Sequence, residues 1–165
     1  MLANSADGKF GAPIETFKQK LGHSFTYLNA ETKNNKTYQH FTLIVEEKVQ
    51  RVNPGFSGGL TLTLENGKIS GESFLVGLGS DRDLGQKLAG ILCLNLAYEA
   101  LGKPIPNSSK DQEIELNSYT RAVREASSGS PGHINYPGYS SQLIFSRTEK
   151  NELLFVIIPS APAKN

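Results

Sequence analysis

The sequence is poor in the residues on which disulfides and metal sites depend. It has one cysteine, no tryptophan and three histidines. One cysteine excludes an intramolecular disulfide, and because Cys93 lies within the apolar run "GILCLNLAYEAL" we interpret it as a buried core thiol. The histidines lack the close spacing of a helical metal site, so the sequence predicts neither a metal ion nor a cofactor.

Long apolar runs and an excess of one charge are also missing. The longest apolar candidate, residues 89–101, contains a glycine, an asparagine and a glutamate, whereas a membrane-spanning helix needs about 20 apolar residues. Lys and Arg number 17 against 16 Asp and Glu, which leaves a formal net charge of +1. Nucleic-acid binding normally depends on a basic excess or a basic stripe. We therefore expect no membrane span and no nucleic-acid partner.

What the sequence does contain is clear apolar periodicity. Ile14, Phe17 and Leu21 share one face of a short amphipathic helix. Four alternating runs between residues 25 and 78 predict strands, the second of them unusually long at residues 37–52, and Asn66-Gly67 is a strong hairpin signal. Residues 80–102 are apolar almost all round, which is typical of a central buried helix, and residues 114–126 predict a further helix. Two last apolar runs predict a closing hairpin.

These patterns predict an α+β fold in one domain over residues 12–159. We expect an antiparallel sheet of five or six strands with a central buried helix, in the order α-ββββ-αα-ββ, because consecutive strands with short turns pair antiparallel. An apolar share of 38% and a charged share of 20% are typical of a soluble globular domain of this kind. Residues 1–11 and 160–165 are expected to be flexible ends. The compartment stays open between the cytoplasm and an exported mature form that lacks its signal peptide.

The stretch "SSGSPGHINYPGYSS", residues 127–141, is the first candidate site. It holds three glycines and two prolines between a predicted helix and a predicted strand. A connection of about 15 residues is long for an ordinary loop, and such loops are often functional. His133, Tyr136 and Tyr139 offer an imidazole, two ring faces and two hydroxyls to a small molecule.

The segment "GLGSDR", which joins a predicted strand to the long helix, is the second candidate. Backbone N–H groups at a helix start can hold an anion. The residues concerned are Gly77, Gly79, Ser80 and Arg82. The third glycine of a dinucleotide fingerprint is absent, and Asp81 and Asp83 place negative charge where an anion would lie. Helix capping, with Ser80 and Asp83 as the capping pair, therefore explains this segment better than anion binding.

No catalytic residue is predicted. Ser57 in "GFSGG" matches a nucleophile-elbow pattern, but that mechanism needs a helix after the turn, and the following residues alternate as a strand. We expect a non-enzymatic binding or accessory domain that recognises another protein or a second copy of itself. The alternative is a small-molecule-binding protein or an enzyme that uses residues 127–141 around His133.

Overall fold

The computed structural model describes residues 13–101, 107–135, 141–147 and 151–159. Four helices lie in this part of the chain: α1 (Ile14–Leu21), α2 (Glu47–Val52), α3 (Arg82–Leu101) and α4 (Ser109–Ser127). Seven strands accompany them: β1 (Phe25–Lys33), β2 (Lys36–Leu43), β3 (Phe56–Glu65), β4 (Lys68–Leu78), β5 (Gly132–Asn135), β6 (Ser141–Arg147) and β7 (Glu152–Pro159). The ends predicted to be flexible, residues 1–11 and 160–165, lie outside the described residues.

All seven strands form one antiparallel sheet in the order β1-β2-β3-β4-β7-β6-β5. The predicted α+β class is therefore confirmed. The β3–β4 hairpin turns at Asn66 and Gly67, with φ of 54° and 75°, the left-handed backbone that this pair favours. The sheet has one strand more than the upper predicted number, because β5 forms inside the stretch predicted as a loop and pairs with β6.

The long strand predicted over residues 37–52 is wrong in its second half. β2 ends at Leu43, and the short helix α2 begins at Glu47. A spacing of four residues fits both a strand face and one helical turn, so Val45 and Val49 do not distinguish the two. An ion pair between Glu47 and Arg51, with 2.6 Å between oxygen and nitrogen, supports the helical turn.

The core lies on one face of the sheet. In β3, Leu60, Leu62 and Leu64 are buried, whereas Thr61 and Thr63 between them are partly exposed. The helices supply the rest of the core: α3 packs on β4, β7 and α4, and α4 packs on β5 and β6. The predicted face of α1 is also buried, and it consists of Ile14, Phe17 and Leu21.

Helix α3 meets the sheet through small side chains. Ala89, Cys93 and Ala97 are fully buried, which confirms Cys93 as a core thiol, and burial raises the pKa of that thiol. The helix approaches β4 so closely that a Cβ at Gly85 would lie 2.0 Å from the carbonyl oxygen of Leu78. The apolar pattern of this helix does not show which residues face the sheet. Small residues lie at the closest approach to β4, because only they permit this short distance.

Candidate functional site

His133 lies on the edge strand β5, where it is exposed. The next residue, Ile134, is buried on the core side, so the imidazole projects from the opposite face of the strand. Gly132 packs directly on α4, since a Cβ there would lie 2.0 Å from the carbonyl oxygen of Ala122. Tyr136 and Tyr139, the other two residues of this candidate, lie outside the described residues. A ligand site around His133 stays a prediction.

The second candidate, Gly77 to Arg82, lies at the junction of β4 and α3. Several backbone donors at and just after this junction are occupied within the protein. Four N–H groups donate to oxygens of the protein at 2.8–3.2 Å. Leu78 donates to the carbonyl of Asn151, and Ser80 donates to the carbonyl of Pro54. Asp81 donates to the side chain of Asn53, and Leu84 donates to the side chain of Asp81. The residue that caps α3 is Asp81, whose side chain accepts from the Leu84 N–H, and not Ser80 with Asp83 as predicted.

Asn53 holds this junction together. Its side chain is fully buried, its Nδ2 donates to the carbonyl oxygen of Leu78 at 2.9 Å, and its Oδ1 accepts from the backbone N–H of Asp81 at 2.8 Å. Gly79 has a φ of +79°, and a Cβ there would lie 2.3 Å from Asn53 Oδ1. The glycine therefore allows the asparagine to reach both backbone groups, a structural reason for a glycine at this position that needs no ligand.

We expect inorganic phosphate to leave the amide resonances of residues 77–84 unmoved. The reason is that Asn53, Pro54, Asp81 and Asn151 already accept from four donors of this segment. The measurement is an ¹H–¹⁵N titration with phosphate, and sodium chloride at matched ionic strength serves as the control. A saturable shift with phosphate alone would show that the junction binds anions after all.

The structure does not bring the two predicted candidates together. Gly77 lies on β4 and His133 on β5, and β7 and β6 separate these two strands. Neighbouring strands lie about 4.8 Å apart, so three spacings keep the two positions at least roughly 14 Å from each other, and the register adds an offset of four residues along the strands. Each candidate would have to bind a ligand without the other.

A groove that the sequence analysis did not predict lies between α3 and α4. Its volume is about 590 Å³, within the range of roughly 300–1,000 Å³ that ligand sites occupy. Each helix contributes one stripe of residues at helical spacing. The lining consists of Asp83, Gln86, Lys87, Gly90 and Ile91 from α3, and of Leu116, Tyr119, Thr120, Val123 and Arg124 from α4.

The groove has an apolar floor, and two large apolar side chains of its lining are exposed to solvent. Tyr119 and Val123 are buried, whereas Ile91 is 49% exposed and Leu116 is 38% exposed. Both exposed side chains belong to helices whose other large apolar residues mostly pack inward or are half-buried. Exposed apolar groups beside a recess are typical of surfaces that contact another molecule.

Gly90 gives this groove part of its space. A glycine inside a helix is less favourable than alanine by about 1 kcal/mol. Packing on the sheet explains Gly85, but a Cβ at Gly90 would meet no atom within 4 Å. Gly90 is therefore not required by any contact in the described part of the chain. In the sequence, a glycine in the middle of a predicted helix, followed by an isoleucine, was the signal that could have indicated this groove.

Glu72 is a buried acid at a different place in the fold. It lies on β4 on the same face as Phe74, it is 3% exposed, and neither carboxyl oxygen has a hydrogen-bond partner among the residues that the structure describes. Burial, and secondly the negative charge of Glu99, raise its pKa well above the usual range. Glu99 in turn forms an ion pair with Lys20 of α1. Glu72 and Phe74 are two positions apart in a predicted strand, so the sequence already indicated that they share a face of the sheet.

No family model, curated protein or solved structure matches the chain. Among the described residues, no group of three or more His, Cys, Asp or Glu side chains is placed to hold a metal ion. None of the helices in that part of the chain is long and apolar enough to cross a membrane. A function can therefore be argued only from the geometry of the sites above.

Proposed function

We propose that this protein is a non-enzymatic binding domain that holds a segment of another protein in the α3–α4 groove. The supporting observation is the combination of exposed Ile91 and Leu116 with open space over Gly90. These features favour an apolar contact that the described part of the chain does not make. Burying such surface stabilises a complex by about 25 cal/mol for each Å² removed from water.

The dimensions of the groove suit a helical segment. Its lining runs over residues 83–91 of α3 and 116–124 of α4. At about 1.5 Å per residue, each stripe covers roughly 12 Å, or two helical turns. A third helix that lies along this groove would present apolar side chains at i, i+3 or i+4, and i+7, which is the usual pattern of helix-in-groove recognition. The missing side chain at Gly90 leaves space in the groove for a side chain of such a helix.

The chemistry of the lining also favours binding. Among the described residues, ten line the groove, and they include one carboxylate, Asp83, and no histidine or cysteine. General acid–base catalysis usually relies on a histidine or on a pair of acids with separated pKa values. The lining instead offers apolar contact area with a charged rim, which is the composition of a protein-binding surface.

The test is whether filling the groove removes a partner. We expect Gly90→Leu to place a side chain in open space, to leave the circular dichroism spectrum unchanged, and to lose a protein that the wild type retains from native extract. Asn95→Leu is the matched control, because it adds the same side chain at an exposed position of α3 outside the groove. Equal retention of that protein by wild type, Gly90→Leu and Asn95→Leu would rule out the groove as the binding surface.

A further inference from the structure

The groove is polarised along its length. Only seven residues separate α3 from α4 and the two helices pack on each other, so they run antiparallel, and the groove lies between the first half of α3 and the second half of α4. One end therefore combines the start of the α3 stripe, Asp83 and Lys87, with the end of the α4 stripe, Arg124. The other end combines Ile91 with Leu116. A ligand that fills the groove meets charge at one end and apolar surface at the other.

The charge at the polar end is positive. Within the described part of the chain, neither Lys87 nor Arg124 forms an ion pair, and the same is true of Asp83. Two cations and one anion leave a net charge of +1 at this end. Long basic side chains beside an apolar recess favour a partner that brings a carboxylate, because complementary charge fixes its register and orientation.

We infer that the occupant is an amphipathic helix of another protein that carries an acidic side chain on its bound face. The acid lies at the Lys87 and Arg124 end, and a bulky apolar side chain lies about two turns away, between Ile91 and Leu116. This inference rests on the proposed function, since it names the partner chemistry of the same groove. The order of the acid and the apolar side chain along the partner sequence then sets the direction of the bound helix.

The experiment is a selection from a display library of helical 14-residue peptides with one randomised face. Wild-type protein is the bait, and Gly90→Leu is used for counter-selection. We expect enrichment of Asp or Glu at one position and of Leu, Ile, Phe or Met seven residues away. A synthetic peptide from the selection should bind at least about tenfold more weakly when its acid is changed to lysine, as measured by fluorescence anisotropy. With the Lys87→Glu/Arg124→Glu variant, this preference should reverse.

The possible negative results separate failure of the acidic-helix inference from failure of the groove function. Apolar enrichment that depends on Gly90 but shows no acidic position would overturn the acidic-helix inference and leave the groove function standing. No enrichment over the Gly90→Leu bait would overturn both. Light scattering of the protein alone should give a monomer. A dimer that Gly90→Leu dissociates would make a second copy of this chain the occupant, and that result would also overturn the inference.

Discussion

The Glu72→Gln variant is expected to unfold at nearly the same temperature from about pH 5 to pH 8, whereas the wild-type protein loses stability over this range. The buried carboxyl of Glu72 has a raised pKa in the folded protein, and an unfolded glutamate titrates near pH ~4.3. The stabilising effect of its proton is therefore complete below the unfolded pKa and is lost as the pH rises toward the folded pKa. Between these two pKa values the free energy of unfolding falls by about 1.4 kcal/mol per pH unit.

The Glu72→Gln substitution isolates this effect, because glutamine has the shape of glutamate and no charge at any pH. We expect the variant to be more stable than the wild type at pH 8, because burial and the charge of Glu99 disfavour the ionised carboxylate that only the wild type forms. Urea unfolding across a pH series measures this difference. Glu113→Gln, at an exposed position of α4, is the matched control and should leave the pH profile unchanged. A wild-type slope that persists in Glu72→Gln would assign the pH dependence to other groups.

The groups around Glu72 set the direction of this effect. Glu99 of α3 adds a second negative charge that opposes ionisation of Glu72, and Lys20 of α1 pairs with Glu99. Ionisation of Glu72 therefore places a second negative charge near Glu99, with no hydrogen-bond partner among the described residues, and such a charge is expensive in a protein interior.

Two glycine-to-alanine substitutions in α3 are expected to have opposite effects on stability. Gly85→Ala places its Cβ 2.0 Å from the Leu78 carbonyl oxygen, so α3 must move away from β4. A loss of about 3 kcal/mol is expected, at the upper end for overpacking. Gly90→Ala meets no atom within 4 Å and should gain up to about 1 kcal/mol from helix propensity. Chemical denaturation measures both changes.

These two variants control for one another, since they make the same substitution in the same helix five positions apart. A comparable change in the free energy of unfolding at both positions would show that helix propensity, and not the short distance to β4, decides the outcome. If Gly85→Ala alone is destabilised, the contact between α3 and the sheet is as close as the structure has it. Gly90 is then a position at which a Cβ can be added without moving α3 away from the sheet.

The fold class was predictable because strong local signals determined it. Asn66 and Gly67 accept positive φ, so the β3–β4 hairpin follows from two residues. The helix α1 follows from three apolar residues on one face. Strand β5 was not predictable in this way, because four residues are too few for a period to show, and it forms only by pairing with β6. The second half of the predicted strand 37–52 failed because Val45 and Val49 suit either element.

The candidate groove was not predictable from the sequence because the orientation of α3 is a tertiary property. Hydrophobicity alone places leucines inward, whereas the distance to the sheet selects Gly85, Ala89 and Cys93 for the inner side. Once these residues face the strands, Ile91 is turned toward solvent. The contact of Asn53 with Asp81 joins residues 28 positions apart and has no local signature. The burial of Glu72, by contrast, follows from simple alternation in β4.

The strand order has a consequence for how the chain reaches its folded state. The sheet consists of two meanders, β1 to β4 and β5 to β7, joined only where β4 pairs with β7. Phe74 and Phe155 face each other at this join, and residues 79–151 must be looped out before they can meet. Closing such a long loop costs more conformational entropy than closing the short hairpins. Because α3 and α4 both lie within it, their packing against each other shortens the chain that the final pairing has to close.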